Sequence, residues 1–351
     1  MSTPYTSPVL RWYAANARDL PWRRPDATPW SILVSEVMLQ QTPVSRVLPA
    51  HAAWISRWPE PAALAAATPA DAVRQWDRLG YPRRAVRLHA SAELITSQLD
   101  GHVPASVDEL RRLPGVGAYT AAAVASFAYG KRQAVLDTNV RRVLARLVTG
   151  SYLPRPAQTT AEVRLAESLL PQDGRLAAQW SVGVMELGAL ICTARRPRCH
   201  DCPVSNQCAW LKQGQPTAGA RRAAARYEGS DRQCRGRLLA ILRSASGPVP
   251  PVDLDAAWDD SGQRARALAA LIDDGLVIGC PEGPSPCPVT RNRRACPSGL
   301  ARLPRLPDPA RCLIQQAARL RTSPTLSLLL RWRRPWTPPQ PGAHRAHPTA
   351  C

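Results

Sequence analysis

From Ser7 to about Trp210, apolar residues recur three or four apart, the spacing of one helix face. Short breaks interrupt the repeat at Pro21, Pro29, Pro59, Gly80, Pro104, the run Leu113–Gly117, Gly130, Pro154 and Gly174. Strand-like alternation is almost absent there. The pattern predicts a string of amphipathic helices with short connections, an all-α architecture. A Gly-, Ala- and Arg-rich linker follows at about 212–225. Three shorter helices are expected next, at Asp231–Arg243, Pro251–Trp258 and Gly262–Asp274, with a strand at Gly275–Cys280. That order suits a small winged-helix-like module over 226–280. The stretch 281–351 holds fourteen prolines and twelve arginines against two acidic residues. Its weak periodicity predicts a disordered tail with no packed core.

The chain has 351 residues, enough for two domains and a sizeable core. Its 46 basic and 26 acidic residues leave a net charge of +20, about half of it in the tail. Such an excess points to a polyanion, most simply nucleic acid. An arginine-rich genome raises the count in the same way, and one phenylalanine beside 36 prolines shows some compositional drift. No run of about 18 apolar residues offers a membrane span. The polar, proline-bearing start Met1–Leu10 does not resemble a secretory leader. A cytoplasmic, nucleoid-associated monomer is expected. In that compartment clustered cysteines read as metal ligands.

Cys192, Cys199, Cys202 and Cys208 stand as C-x6-C-x2-C-x5-C. Four thiolates in one loop can hold a single zinc or a cubane iron–sulfur cluster. One CxxC between two longer arms is closer to a wrap around four irons than to paired zinc knuckles. The other six cysteines show no comparable spacing. Upstream, Gly115-Val116-Gly117 joins helical stretches at about Ser106–Arg112 and Ala118–Ala128. Two glycines let a backbone approach a phosphate, and the second helix offers its first amides to the anion. Asp137 opens the next helix, where it is a good N-cap and also a candidate catalytic carboxylate. Glu36 lies among Ile32, Leu33, Val37 and Leu39; a carboxyl so placed can carry a raised pKa and deliver a proton near neutrality.

The order of hairpin, Asp137 and cysteine loop resembles the endonuclease III superfamily of DNA glycosylases. The string Ser35-Glu36-Val37-Met38-Leu39-Gln40-Gln41-Thr42 closely resembles the adenine DNA glycosylases of the MutY type. The resemblance spans about Ser7 to Trp210, roughly 60% of the chain. It implies a helix–hairpin–helix fold with a six-helix domain at 28–133 and a cluster domain made of 1–27 and 134–211. It further implies a 4Fe-4S cluster on Cys192, Cys199, Cys202 and Cys208, and a monovalent cation at the hairpin.

The resemblance also implies roles for single residues. Glu36 protonates adenine, Asp137 faces the scissile sugar, and Tyr119 and Asn139 position substrate. Tyr119 stands where bifunctional lyases carry lysine, and a phenol cannot form an imine, so a monofunctional hydrolase is implied. Gln40, Gln41 and Thr42 contact the opposite base; Leu79 and Tyr81 wedge into the duplex; Gly115, Val116 and Gly117 hold phosphate; Arg23 borders the pocket. Arg195, Arg196 and Arg198 present charge to phosphates. The implied substrate is duplex DNA with adenine opposite 8-oxoguanine or guanine. Tyr227–Gln233 with Arg235-Gly236-Arg237 resembles the segment that follows the catalytic core in actinobacterial members. Departures are Pro82 after Tyr81, one extra residue between Arg23 and Glu36, and the lack of a Nudix-like domain pattern. A thymine or uracil mismatch glycosylase of the same superfamily and a non-catalytic iron–sulfur DNA-binding regulator are the alternatives.

Overall fold

The computed structural model describes residues 3–216, 226–279 and 286–288. Helix α1 (Thr6–Asn16) and a 3-10 turn at Pro21–Arg23 lead into α2 (Pro29–Leu39), α3 (Val44–Arg57), α4 (Pro61–Ala65), α5 (Pro69–Trp76) and α6 (Arg83–Gln98). The hairpin helices are α7 (Val107–Leu110) and α8 (Ala118–Tyr129). Then come α9 (Thr138–Leu144), which widens into a π turn at Ala145–Thr149, α10 (Thr160–Leu169), α11 (Gly174–Leu190) and α12 (Ala209–Lys212). The helix starts follow from the residues before them. Thr28 accepts the Ser31 amide ahead of Pro29, and Thr68 with Asp71 and Thr159 with Glu162 form reciprocal capping boxes. Helix α2 is buried on every side from Trp30 to Met38, so it runs through the middle of its core.

Among the described residues two large apolar cores result, with a small third cluster of Ala122, Ala123 and Val135. The first gathers α2 to α8 around Trp54, Trp58 and Trp76, whose rings meet edge to face at 4.7 and 5.5 Å. A chain with a single phenylalanine thus builds its aromatic centre from tryptophan. The second core packs Val9 of α1 against α9 to α12, around Trp180, Leu187 and Trp210. Leu20 and Trp22 belong to the first core although they precede residue 28.

The expected C-terminal helices appear as α13 (Asp231–Ser244), α14 (Pro251–Asp255) and α15 (Ser261–Asp273). Strand β1 (Val277–Gly279) follows, and it pairs antiparallel with β2 (Pro286–Pro288). Residues 286–288 fall within the stretch 281–351 read as a tail. The rest of that tail lies outside the described residues, as does the middle of the linker. The module's Leu238, Leu239, Leu242, Leu271 and Leu276 merge with the first core.

Helices α9 and α11 cross at Gly188. A Cβ there would lie 2.8 Å from the Asn139 Cβ and 3.0 Å from the Asn139 carbonyl oxygen. Gly188→Ala is expected to push α9 away and to destabilise the fold by about 1–3 kcal/mol. Urea unfolding reads this; an unchanged midpoint would mean that the crossing yields freely.

Candidate active site

An open cleft of about 1880 Å³ lies where the two cores meet. Helix α2 brings Glu36 and Gln40 to it, α8 brings Tyr119, the start of α9 brings Asp137 and Asn139, and α11 brings Met185. Glu36 is 5% exposed. Loss of water pushes its carboxyl up to about 7; a hydrogen bond from Tyr119 opposes the shift, the Asp137 carboxylate adds to it, and Arg23 works against it. The Tyr119 hydroxyl is itself pushed well above the usual phenol range by burial between the two acids.

Both carboxylate oxygens of Asp137 accept hydrogen bonds at the start of α9. Its Oδ1 accepts the Val140 amide at 2.6 Å as the cap of α9, and its Oδ2 accepts from Asn139 Nδ2 at 2.9 Å. Burial still holds its pKa above the usual carboxylate range. Asn139 is held in turn by Arg142, whose Nη2 donates to Asn139 Oδ1 at 2.8 Å and to the Gly188 carbonyl at 2.6 Å. Arg142 Nε donates to the Cys192 carbonyl at 2.8 Å. One chain of hydrogen bonds therefore runs from the Asp137 carboxylate to the cysteine loop.

Arg146, on the π turn, is 1% exposed and ties that loop further. It donates to Cys192 Sγ at 3.4 Å and to the carbonyls of Thr193 and Tyr152 at 2.7 and 2.9 Å, and it lies over the Tyr152 and Trp210 rings. Burial pushes the Cys202 thiol up to about 11, with the neighbouring Cys192, Cys208 and Cys199 adding to it. Among the described residues, however, no group of His, Cys, Asp or Glu closes on a single ion. The four thiols lie on one loop, and N–H groups aimed at Cys192 and Cys199 sulfur suit a sulfide-rich cluster. Arg195, Arg196 and Arg198 are exposed on the same loop.

At the hairpin, Gly115 has φ +83°, and a Cβ there would meet Arg87 at 2.9 Å. Gly115 and Gly117 are exposed, whereas the Val116 side chain is buried, so only backbone is offered to a phosphate there. Across the cleft the turn after α2 faces the loop before α6. Gln41, Asp77 and Tyr81 in these two loops have φ of 59°, 42° and 48° without being glycine. Tyr81 is 51% exposed. Leu79, expected beside it as a wedge, turns inward instead, into the first core, because Trp76 and Val73 offer an apolar seat. Thr42, expected to meet the opposite base, is also buried, with its hydroxyl accepting from Arg84 and donating to the Leu79 carbonyl. Gln40 donates to Thr120 Oγ1 at 3.2 Å. Arg23 lines the cleft, but its guanidinium donates to Glu186 at 2.7 Å.

Sequence reasoning missed three groups here. Glu186 is fully buried on α11 and gathers both Arg18 and Arg23. A lone acid in the apolar run Trp180–Leu190 was the available signal, the same that marked Glu36. Arg84 is 7% exposed and donates to the carbonyls of Val37, Met38, Gln40 and Gly80 and to Thr42 Oγ1, all within 2.9 Å. Burial lowers its pKa to about 10. Arg142 and Arg146, four apart on one helix face, form the third group.

Residues 34–167 match the HhH-GPD superfamily of base excision DNA repair proteins, and residues 192–208, from the first cysteine of the loop to the last, match the iron–sulfur binding domain of endonuclease III. An adenine DNA glycosylase of Mycolicibacterium smegmatis is 53% identical over 274 residues, 77% of this chain and 92% of the relative. One of Mycobacterium tuberculosis is 50% identical over 280 residues, 78% of this chain and 90% of the relative. Matches of that length extend past residue 216 into the C-terminal module. The solved structure of a thermostable thymine-DNA glycosylase is similar with TM-score 0.54 and 29% identity, covering 60% of this chain and 95% of the other. The fold and site thus define a helix–hairpin–helix base excision repair protein with a 4Fe-4S cluster. Within that class the chain belongs to the adenine DNA glycosylase family.

The raised pKa of Glu36 has a stability consequence. Below about pH 4.5 the carboxyl is protonated whether the chain is folded or unfolded. Between there and about 7 only the unfolded chain ionises, so stability falls as pH rises through that window. Glu36→Gln removes the penalty. The variant is expected to match the parent near pH 4.5 and to exceed it by roughly 3 kcal/mol at pH 8.5. Denaturant unfolding at the two pH values measures the difference, and equal stability at both would place the Glu36 carboxyl in water.

Proposed function

We propose that this protein is a monofunctional hydrolase that removes adenine paired with 8-oxoguanine or guanine in duplex DNA and leaves an abasic site. The observation that carries the reading is the pair Glu36 and Asp137 with Tyr119 between them. One carboxyl is buried and poised near neutrality; the other is held by a helix N-terminus and Asn139. Residues 28–133 are read as the six-helix domain, and 1–27 with 134–211 as the cluster domain. The amides at Gly115–Gly117 and the start of α8 anchor a phosphate. Adenine leaves the stack and enters the cleft, an extrusion compensated by Tyr81 on the duplex side. Glu36 donates its proton to the adenine ring, and the glycosidic bond weakens. The Asp137 carboxylate stabilises the positive charge that grows on the sugar. Water then completes hydrolysis. Gln40 and Gln41 sit at the cleft edge toward the opposite base, while Leu79 and Thr42 support those loops from inside. Cys192, Cys199, Cys202 and Cys208 hold the cluster, which when bound fixes the loop that carries Arg195, Arg196 and Arg198 toward DNA.

The resemblance to a thymine-DNA glycosylase favours, as second reading, thymine or uracil release on the same scaffold. Duplexes carrying A·8-oxoguanine, A·G, T·G and U·G, assayed with and without alkali, separate the two. Strand breaks at adenine only after alkali are expected; thymine release without adenine release would reverse the order. Glu36→Gln is expected to lower adenine release about a thousandfold with duplex binding kept. Because the donor acts in its protonated form, turnover should fall as pH rises through about 7.

A further inference from the structure

The loop that ends in Tyr81 is gripped from two sides. From inside, Arg84 donates to Gly80 and to the turn after α2. From outside, the 226–279 module reaches both of its feet. Arg243, at the end of α13, donates to the Asp77 carbonyl at 2.5 Å and pairs with the Asp77 carboxylate at 3.1 Å. Asp274, just past α15, pairs with Arg83 at 3.1 Å and is itself held by Arg235. Asp77 lies four residues before Tyr81 and Arg83 two residues after it. Between these ties Leu239, Leu242 and Leu276 of the module share the first apolar core with Val73 of α5. Leu79 shares the apolar core that this contact extends.

Asp77 and Tyr81 both occupy left-handed backbone that ordinary side chains avoid, and Gly80 between them has φ +83°. Such conformations persist only where the surroundings over-determine them. We propose that the 226–279 module is a brace that holds the Leu79–Tyr81 loop in its insertion-ready form, with Arg243 and Asp274 as positioning residues for Tyr81. This rests on the reading of Tyr81 as the side chain inserted into the duplex. A loop ordered beforehand loses less freedom when it enters DNA, so the brace acts on binding and base extrusion. It leaves the bond-breaking step, carried by Glu36 and Asp137 in the cleft, unchanged.

The test uses the full-length, cluster-loaded protein and an A·8-oxoguanine duplex with 2-aminopurine beside the mispair, whose emission reports unstacking. Single-turnover rates are followed against enzyme concentration for Arg243→Ala, Asp274→Ala, their combination, and the swap Arg243→Asp with Asp77→Arg. The single variants are expected to raise the half-saturating concentration about threefold and the double variant about tenfold, as befits partly exposed ion pairs. Emission should fall while the plateau rate stays within about twofold of the parent, and the swap, which restores the ion pair but not the hydrogen bond to the carbonyl of position 77, should recover part of both emission and half-saturation. Cluster absorbance and far-UV circular dichroism establish that each variant is folded, and Arg243→Lys, which keeps the charge at Asp77, provides a milder variant expected to lie between. Tyr81→Ala separates the two layers of the argument. If it leaves emission intact, the insertion reading fails, and the brace with it. If it abolishes emission while the double variant keeps parental emission and half-saturation, the brace alone is overturned. A fall in plateau rate without a change in half-saturation also overturns it.

Discussion

The cost of placing a carboxyl group in an apolar helix organises this protein. Glu36 lies in the middle of α2, a helix buried on every side. Ionised there, it would lack the solvation that water supplies. The structure answers by leaving the acid protonated up to about neutrality and by giving it one partner, Tyr119. The cleft, the hairpin and the second core are all arranged around that point. Asp137 reaches it only because α9 starts there, and α9 can approach α11 so closely only because residue 188 is glycine.

The arginines divide into two populations with different physics. Arg195 and Arg196 stand in solvent, where their charge is available to phosphate, while the exposed Arg198 pairs with Asp201 at 3.7 Å. Arg84 and Arg146 are buried and, with Arg142, spend much of their donor capacity on carbonyl oxygens at helix ends and loops. A guanidinium offers five N–H groups in a fixed plane, so one side chain can gather several chain segments. Part of the large positive charge is therefore internal scaffolding, and the net value overstates what a polyanion meets.

Those internal arginines also link parts that the fold keeps apart in sequence. Arg142 joins Asn139, next to the candidate catalytic Asp137, to the backbone of the first cysteine of the loop. Arg84 joins the end of α2 to the loop before α6. The cysteine loop is thereby two hydrogen-bonded residues, Arg142 and Asn139, away from Asp137, and the turn after α2 is tied to the loop that carries Tyr81.

The helical string, the hairpin, the cap at Asp137, the cysteine loop and the buried acid on α2 were all legible in the sequence. Each depends on local chemistry: periodicity, turn residues, short spacings, one charge among apolar neighbours. Glu186, Arg84, Arg142 and Arg146 were not legible as a group, because a buried arginine and an exposed one look alike until a partner carbonyl arrives from elsewhere in the chain. Leu79 and Tyr81 show the same limit two residues apart. Both sit in one loop and both were expected to face DNA, yet Leu79 packs beside Trp76 while Tyr81 stays in solvent. Sequence alone determined which chemistry this protein carries. Tertiary structure decided which side chains are free to use it, since burial and hydrogen-bond satisfaction are set by segments that meet only when the chain is folded.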